Sequence, residues 1–321
     1  MKFSLTATVL SALILPSVSQ ADCWLTDFSA AQAQAQKENK PIVLSFTGSD
    51  WCSWCILMRR QVLDTPDFYS YARDKFVLME VDLPRNSSGM PPQQLRNNHE
   101  LAQRYKVSTF PTVLIITADG TLAGGFTGGR TDLPAVTQPL DLALTNTALL
   151  QQATSQHGIK KAQTLHTFYQ NLPAAFQRDR HKLRSEIADL DPHNITGIHT
   201  EIQDIATIRN ISDKTRNMND DEAIPVIIRA LPNITSSRRT DLQQLLAERL
   251  NNRIQRRREQ ADTLEDIEAI RNDNILIIRY CLAPEYQERA TQGMNEQFAV
   301  PQSLLNRLRY EREKRQKYRK N

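Results

Sequence analysis

The sequence predicts an α/β domain, a central sheet flanked by helices, followed by an all-α domain of helical hairpins. Three observations carry this reading. Between about residues 24 and 130, helical patterns alternate with short apolar runs of the buried-strand type. After about Gly129 the strand signal stops and helical periodicity continues to the end. The chain has 321 residues, a length that suits two domains.

The elements follow in order. Asp27 can cap a helix over Phe28–Gln36, and Pro41 ends the polar link behind it. Ile42 to Thr47 reads as a buried strand, Gly48-Ser49-Asp50 as a turn, and the stretch from Cys52 towards Leu63 as a helix. Asp50 suits a turn-capping role better than that of a base. Phe76 to Val81 is a second strand, Pro84 to Asn98 a polar loop, and His99 to Tyr105 a short helix. Thr112 to Ile116 is a third strand. Asp119-Gly120 is a hairpin signal returning a fourth strand over Thr121–Phe126.

Beyond that, residues 131–150 read as a linker followed by a helix. Breaks between later helices are expected at Asp191-Pro192, Asn217 to Asp221, Leu231-Pro232-Asn233, Ala283-Pro284 and Pro301. Asp204–Asn210 resembles Asp266–Asn272, 62 residues on, which would fit stacked helical hairpins. The expected division is residues 1–21 as a signal peptide, 22–135 as the α/β domain, 136–150 as a linker and helix, and 151–321 as the helical domain.

The beginning of the chain reads as an export signal. Lys2 supplies a positive start and Leu5 to Leu15 a short apolar run. Pro16 breaks that run, and Ser19-Gln20-Ala21 puts small residues at the cleavage positions. Cleavage is expected after Ala21, placing the protein in a periplasm or outside the cell. Gln20 and Asp22 are the wrong neighbours for lipidation of Cys23. The later apolar run Ile275–Ile278 is bounded by Asn274 and Arg279 and reads as core rather than as a membrane helix.

Hydrophobic residues make up 40% of the chain, enough for a real core. The formal charge is +4 and unevenly placed: residues 151–321 hold 28 Lys/Arg against 23 Asp/Glu, the first 150 hold 12 against 13. Arg256-Arg257-Arg258 and the tail from Arg307 to Lys320 read as solvated helix faces. Export and the lack of interleaved aromatics exclude nucleic acid as the expected partner.

Chemistry concentrates at Cys52 and Cys55. A Cys-x-x-Cys pair between a strand and a helix places the first sulfur where free N–H groups and the helix dipole stabilise a thiolate. That thiolate can attack a partner disulfide. The second cysteine, one turn on, can resolve the mixed disulfide. Cys52 is thus the candidate attacking thiol and Cys55 the candidate resolving one. A zinc site would need a second ligand pair at suitable spacing. Neither the six histidines nor Cys23 and Cys281 supply it, so no metal and no cofactor are expected. Trp51 and Trp54 would shape the apolar surface around the sulfurs. Thr109-Phe110-Pro111-Thr112, directly before a strand, is a second feature favouring redox chemistry.

With these pieces in order, the chain resembles the thioredoxin superfamily. The matching segments are Leu44 through Cys55, Val81-Asp82, Tyr105 through Thr112, the Asp119-Gly120 hairpin and Gly128. The phrase Phe-Thr-Gly-Ser-Asp-Trp-Cys-x-Trp-Cys is most similar to exported bacterial thioredoxin-like proteins. The resemblance covers about residues 24–130 and leaves the helical half unexplained. It implies a mixed sheet, a cis Pro111 facing the cysteines, and a Phe110 whose backbone guides an extended substrate peptide. It implies thiol–disulfide exchange, as reductase or isomerase, on exported proteins, with a membrane thiol reductase as electron donor; a pair kept oxidised would instead donate disulfides, and the sequence leaves the direction open. Two departures stand out. Ser45 occupies the place where a thioredoxin carries a buried acid, with no acid from Ile42 to Gly48. Ser53-Trp54 replaces the usual Gly-Pro between the cysteines.

Cys281 lies in an apolar helix and reads as a buried thiol. Its pairing with Cys23 stays open at this level. The competing class is a binding or scaffolding protein. There the α/β domain would be an adaptor, and the helical domain would recognise partners or self-associate.

Overall fold

A computed structural model describes residues 23–177, 180–261 and 263–295. The expected signal peptide over 1–21, the break at Pro301 and the basic tail from Arg307 lie outside the described residues. Two compact units divide between Leu190 and Asp191.

The first unit opens with a two-residue strand β1 (Trp24–Leu25) and helix α1 (Phe28–Glu38). Asp27 caps α1 by accepting the Ala30 N–H at 2.7 Å. β2 (Ile42–Thr47) leads into α2 (Ser53–Met58), which continues as a π-helical turn over Arg59–Leu63. Then come α3 (Pro66–Ala72), β3 (Val77–Asp82), α4 (Pro92–Arg104), β4 (Thr112–Ile116) and β5 (Leu122–Thr127). The sheet order is β1-β3-β2-β4-β5; β1, β3 and β2 run parallel, and β4 is antiparallel to both its neighbours.

Three local expectations need correction. The loop expected over Pro84–Asn98 ends at Pro91, because Pro92 starts a thirteen-residue helix. Proline is well tolerated in a first helical turn, where its missing N–H would have had no partner. Helix α3 was not expected, although Thr65 before Pro66 is a capping signature. The Thr65 hydroxyl accepts the Phe68 N–H at 3.3 Å. Strand β1 is too short to leave a periodic pattern.

The two faces of the sheet bury two cores. Ile42, Leu44 and Phe46 join Val77, Met79, Val81, Leu114 and Ile116 on the face that packs Ala31, Ala35 and Leu101. Val43, Leu78, Val113 and Ile115 point the other way, onto Met58, Val62, Phe68, Val136 and Leu140. Each such side chain, fully withdrawn from water, contributes roughly 1.5–3 kcal/mol before entropy is counted. By strand alternation Ser45, Thr47 and Glu80 share that second face.

α5 (Leu133–Thr154) lies on β5. The approach is close: a Cβ on Gly124 would stand 2.9 Å from that of Ala143. Buried Asn146 donates to the Ala123 carbonyl at 2.8 Å. α6 (Gly158–Asn171), the short α7 (Ala174–Gln177) and α8 (His181–Leu190) follow, with α6 packed on α5 and α8 on α6. These helices therefore belong to the first compact unit, whereas the sequence pattern placed the helical domain from 151.

The second unit holds α9 (Ile198–Thr215), α10 (Asp220–Ala230), a 3-10 turn at Leu231–Asn233, α11 (Arg239–Gln260), α12 (Leu264–Tyr280) and α13 (Pro284–Asn295). From α10 onward each helix packs on the next, giving antiparallel-hairpin contacts. The core is Ile224, Ile227, Leu242, Leu246, Leu250 and Ile277 with their neighbours. Arg249, Arg253 and Arg257, four residues apart on α11, form a ladder with Asp220 and Asp221 of α10 and Asp273 of α12. The matched heptapeptides lie on α9 and α12, but their first aspartates act differently. Asp204 accepts the Thr235 and Ser236 N–H groups from mid-helix, whereas Asp266 completes a capping box with Thr263.

Candidate redox site

The site begins with a turn that the next strand holds down. Asp82, the last residue of β3, accepts the Ser49 N–H at 2.9 Å and the Ser49 hydroxyl at 2.6 Å. Asp50 is exposed and accepts the backbone N–H groups of Asn86 at 2.7 Å and Arg85 at 2.9 Å. These bonds, Asn86's first and Arg85's next, hold its carboxyl below the usual carboxylate range. Asp50 is therefore a loop-capping acceptor. Trp51 reaches the same segment, its indole N–H donating to the Leu83 carbonyl at 2.8 Å. Gly48 makes room for that ring: a Cβ there would lie 2.2 Å from Trp51 Cε2.

Cys52 stands at the N-cap of α2, and its Sγ accepts the Cys55 N–H at 3.2 Å. The two sulfurs are joined as a disulfide, with Cα atoms 5.2 Å apart. Both cysteines are buried as whole residues, Cys52 6% exposed and Cys55 2%. A sulfur that already accepts a helix N-terminal N–H keeps that partner when it becomes a thiolate, which favours the charged form.

The Phe110–Pro111 peptide is cis. Pro111 is buried and shares with Cys55 a cavity of about 10 Å³ (space for the centre of a water-sized sphere). Phe110 meets Trp51 edge-to-face, ring centroids 5.2 Å apart. Trp54 is 55% exposed, yet its ring lies against Gly129, where a Cβ would stand 2.6 Å from Cε3. The structure thus gathers Trp51, Phe110 and Pro111 with the cysteine pair and leaves Trp54 as an exposed apolar plate beside it.

Several residues of the site escaped the sequence reading. Beside Ser45, which the sequence had already singled out, the same cavity is walled by Thr47, Arg59 and Glu80. Glu80 is the register partner of Ser45 across the β2–β3 pair and forms an ion pair with Arg59. The acid absent from β2 is therefore present one strand over. Its signal was a lone charge inside Phe76–Val81, on the face that Leu78 buries. Gly129 left no signal separable from its neighbour Gly128.

Cys23 is exposed and free, and Cys281 is buried and free. Burial pushes the Cys281 thiol up to about 11, and its sulfur lies 3.4 Å from the Gln243 carbonyl. No helix among the described residues is long and apolar enough to cross a membrane.

Comparison with known proteins agrees with this geometry. Residues 28–134 match the family model described as a thioredoxin-like domain. The disulfide bond reductase DsbH of Chlamydia pneumoniae is 37% identical over 103 residues, covering 32% of this chain and 61% of that protein. The thioredoxin-related protein DsbJ of the same organism is 27% identical over 118 residues, covering 34% of this chain and 33% of that protein. The chain thus spans less than two thirds of the length of either relative. A solved structure of a DsbH oxidoreductase is 29% identical, with a TM-score of 0.35, over 44% of this chain and 95% of that one. Residues 28–134 therefore form a domain of the thioredoxin superfamily.

Proposed function

We propose that the protein is a thiol–disulfide oxidoreductase that reduces or isomerises disulfides of exported proteins through Cys52 and Cys55. The observation that carries this reading is the cysteine pair one turn apart at the mouth of α2, with Cys52 Sγ already accepting a helix N-terminal N–H. In the reduced enzyme the Cys52 thiolate attacks one sulfur of a substrate disulfide and expels the other as a thiolate. Cys55 then attacks Cys52 Sγ, releasing the second substrate sulfur and leaving the Cys52–Cys55 disulfide. Two electrons pass to the substrate, and a membrane thiol reductase restores the dithiol. The name of the first relative, a reductase, supports that direction.

Trp54 and Trp51 supply the apolar contact for substrate, and the backbone around Phe110 and Pro111 receives an extended peptide as an added strand. The leader-like pattern over 1–21 supports export, which suits a protein whose substrates carry disulfides. The test is turnover of insulin disulfides with a thiol donor, comparing the full chain with Cys52→Ala. Loss of turnover in the variant is expected; turnover equal to that of the unaltered protein would overturn the proposal.

A further inference from the structure

A larger cavity of the first compact unit runs along the β4–β5 hairpin, on the sheet face that Leu114 buries. Its volume is about 680 Å³, within the range of ligand-binding sites, about 300–1,000 Å³. One end lies at Thr109 and at the register partners Thr112 and Thr127, next to Phe110 and Pro111. The other lies at Gly120 and Leu122. Leu122 pairs with Ile116, four residues beyond Thr112, so the ends are about 13 Å apart at about 3.3 Å per residue.

The walls are of two kinds. Leu114, Leu122 and Phe176 are apolar and buried or half-buried. Arg104, Lys106 and Arg180 are cationic, and none of the residues lining the cavity is acidic. Asp119, next to Gly120, is turned onto its own loop, where it accepts the Thr117 hydroxyl and the Thr121 N–H. Lys106 is a choice that local structure disfavours. It stands at φ +54 just past α4, where its N–H donates to the Gln103 carbonyl at 3.1 Å. The Val107 N–H donates to the Ala102 carbonyl at 2.8 Å. Glycine is usual in this helix-ending turn, because a Cβ is strained there. The lysine keeps a charge at the cavity despite that strain. Phe176 and Arg180 lie beyond residues 28–134, so α7 and the segment after it add a wall from outside the matched family domain.

We infer that this cavity is a specificity site for the substrate polypeptide. It takes an extended segment near the reacting cysteine in which apolar and acidic residues alternate. The inference rests on the thiol–disulfide reading above, in which the backbone at Phe110 receives substrate as an added strand. A substrate chain continuing past Thr109 enters the cavity, whose length suits about four extended residues. Side chains of such a chain point alternately to opposite sides. Apolar ones meet Leu114, Leu122 and Phe176, and acidic ones meet Arg104, Lys106 and Arg180. Complementary charge speeds encounter with an acidic segment, and like charge rejects a basic one.

The experiment uses the full reduced chain in a Cys23→Ser background, so that the exposed free thiol adds no signal. The substrates are peptides whose one cysteine is disulfide-linked to thionitrobenzoate. A short Gly-Ser spacer joins that cysteine to Leu-Glu-Leu-Glu, Leu-Gln-Leu-Gln or Leu-Lys-Leu-Lys, placed before it in one series and after it in the other. Attack by the Cys52 thiolate on the peptide sulfur expels the coloured thiolate, and Cys55 then releases the peptide as a thiol. At low salt the Glu peptide of one series is expected to react about five- to tenfold faster than its Gln counterpart, and the Lys peptide slowest. Most of that preference should vanish at about 1 M salt, where screening acts within about 3 Å. In the double variant Arg104→Gln, Lys106→Gly the Glu-to-Gln rate ratio should fall to within about twofold of unity. The glycine relieves the left-handed backbone, and a ratio taken within one variant cancels any change at the cysteines. Equal rates for the three peptides in both series, or a preference that survives the double variant, overturns the inference. Competition by citrate as strong as by a cysteine-free Leu-Glu-Leu-Glu peptide would make this a small-anion site and overturn it too. Failure of the unaltered protein to attack any peptide, or attack undiminished in Cys52→Ala, would instead remove the thiol–disulfide reading itself.

Discussion

Substituting Gly48 by alanine tests how the turn ahead of Cys52 is built. The new Cβ would stand 2.2 Å from Trp51 Cε2, 2.4 Å from Nε1 and 2.6 Å from Cζ2. Carbon pairs settle at about 3.5–4.0 Å, so the ring must retreat by more than about 1 Å. It cannot do so freely. Its N–H is bonded to the Leu83 carbonyl at 2.8 Å, its face meets the edge-to-face partner Phe110, and Arg85 lies over it at 5.4 Å. The retreat forfeits the hydrogen bond, about 0.5–1.5 kcal/mol. It also forfeits most of the aromatic pair, about 0.5–1.5 kcal/mol. The expected loss is therefore about 1–3 kcal/mol. The chain's three tryptophans, Trp24, Trp51 and Trp54, all lie in the first compact unit, so fluorescence-monitored urea unfolding of the full chain reports that unit. On a Trp51→Ala background Gly48→Ala should cost less than about 0.5 kcal/mol, since the clash is gone. The same cost on both backgrounds, or no cost on the first, would refute the packing account.

Two further outcomes follow from side chains at opposite ends of the chain's polarity range. Because burial raises its thiol to about 11, Cys281 should resist alkylation in the native oxidised protein near pH 8. The exposed Cys23 should label readily, and peptide mapping that finds both labelled at equal rates would contradict this. Asp191 is wholly buried. Burial alone would raise its pKa, but the N–H and hydroxyl of Thr196 and the N–H of Ile195 outweigh that and hold it low. A depressed folded pKa gives stability that is present above the unfolded value of about 3.9 and lost as pH falls through the folded one. Asp191→Asn should cost about 1–3 kcal/mol at neutral pH in urea unfolding followed by circular dichroism. The difference from the unaltered protein should shrink in acid; a pH-independent difference would mean that the charge is not what the loop uses.

The strands were legible where burial is two-sided: Ile42–Thr47 and Thr112–Ile116 have the bounds that their unbroken apolar runs mark. The helix breaks at Asp191-Pro192, Asn217–Asp221, Leu231–Asn233 and Pro284 were legible because caps and prolines punctuate a chain locally. What failed did so for physical reasons. Pro91-Pro92 looks like loop chemistry, yet a proline in a first helical turn costs nothing. α5 continues through Pro139 and packs on β5 through Gly124, so its allegiance to the sheet is a tertiary fact. The cysteine pair could be read from its spacing, its place between a strand and a helix, and the Thr109–Thr112 segment. Glu80 could not, because the partner strand that sets it opposite Ser45 is 35 residues away.

The most direct measurement of the central claim is the trapping of exchange intermediates. In Cys55→Ala the resolving thiol is gone, so a mixed disulfide formed by Cys52 should persist. Non-reducing electrophoresis of this variant, expressed from the full sequence and acid-quenched, followed by mass mapping of the linked peptides, locates the bond. The account requires adducts on Cys52, lost when Cys52 is also replaced. Adducts confined to Cys23, or none on Cys52 with disulfide-bearing protein in excess, would contradict it.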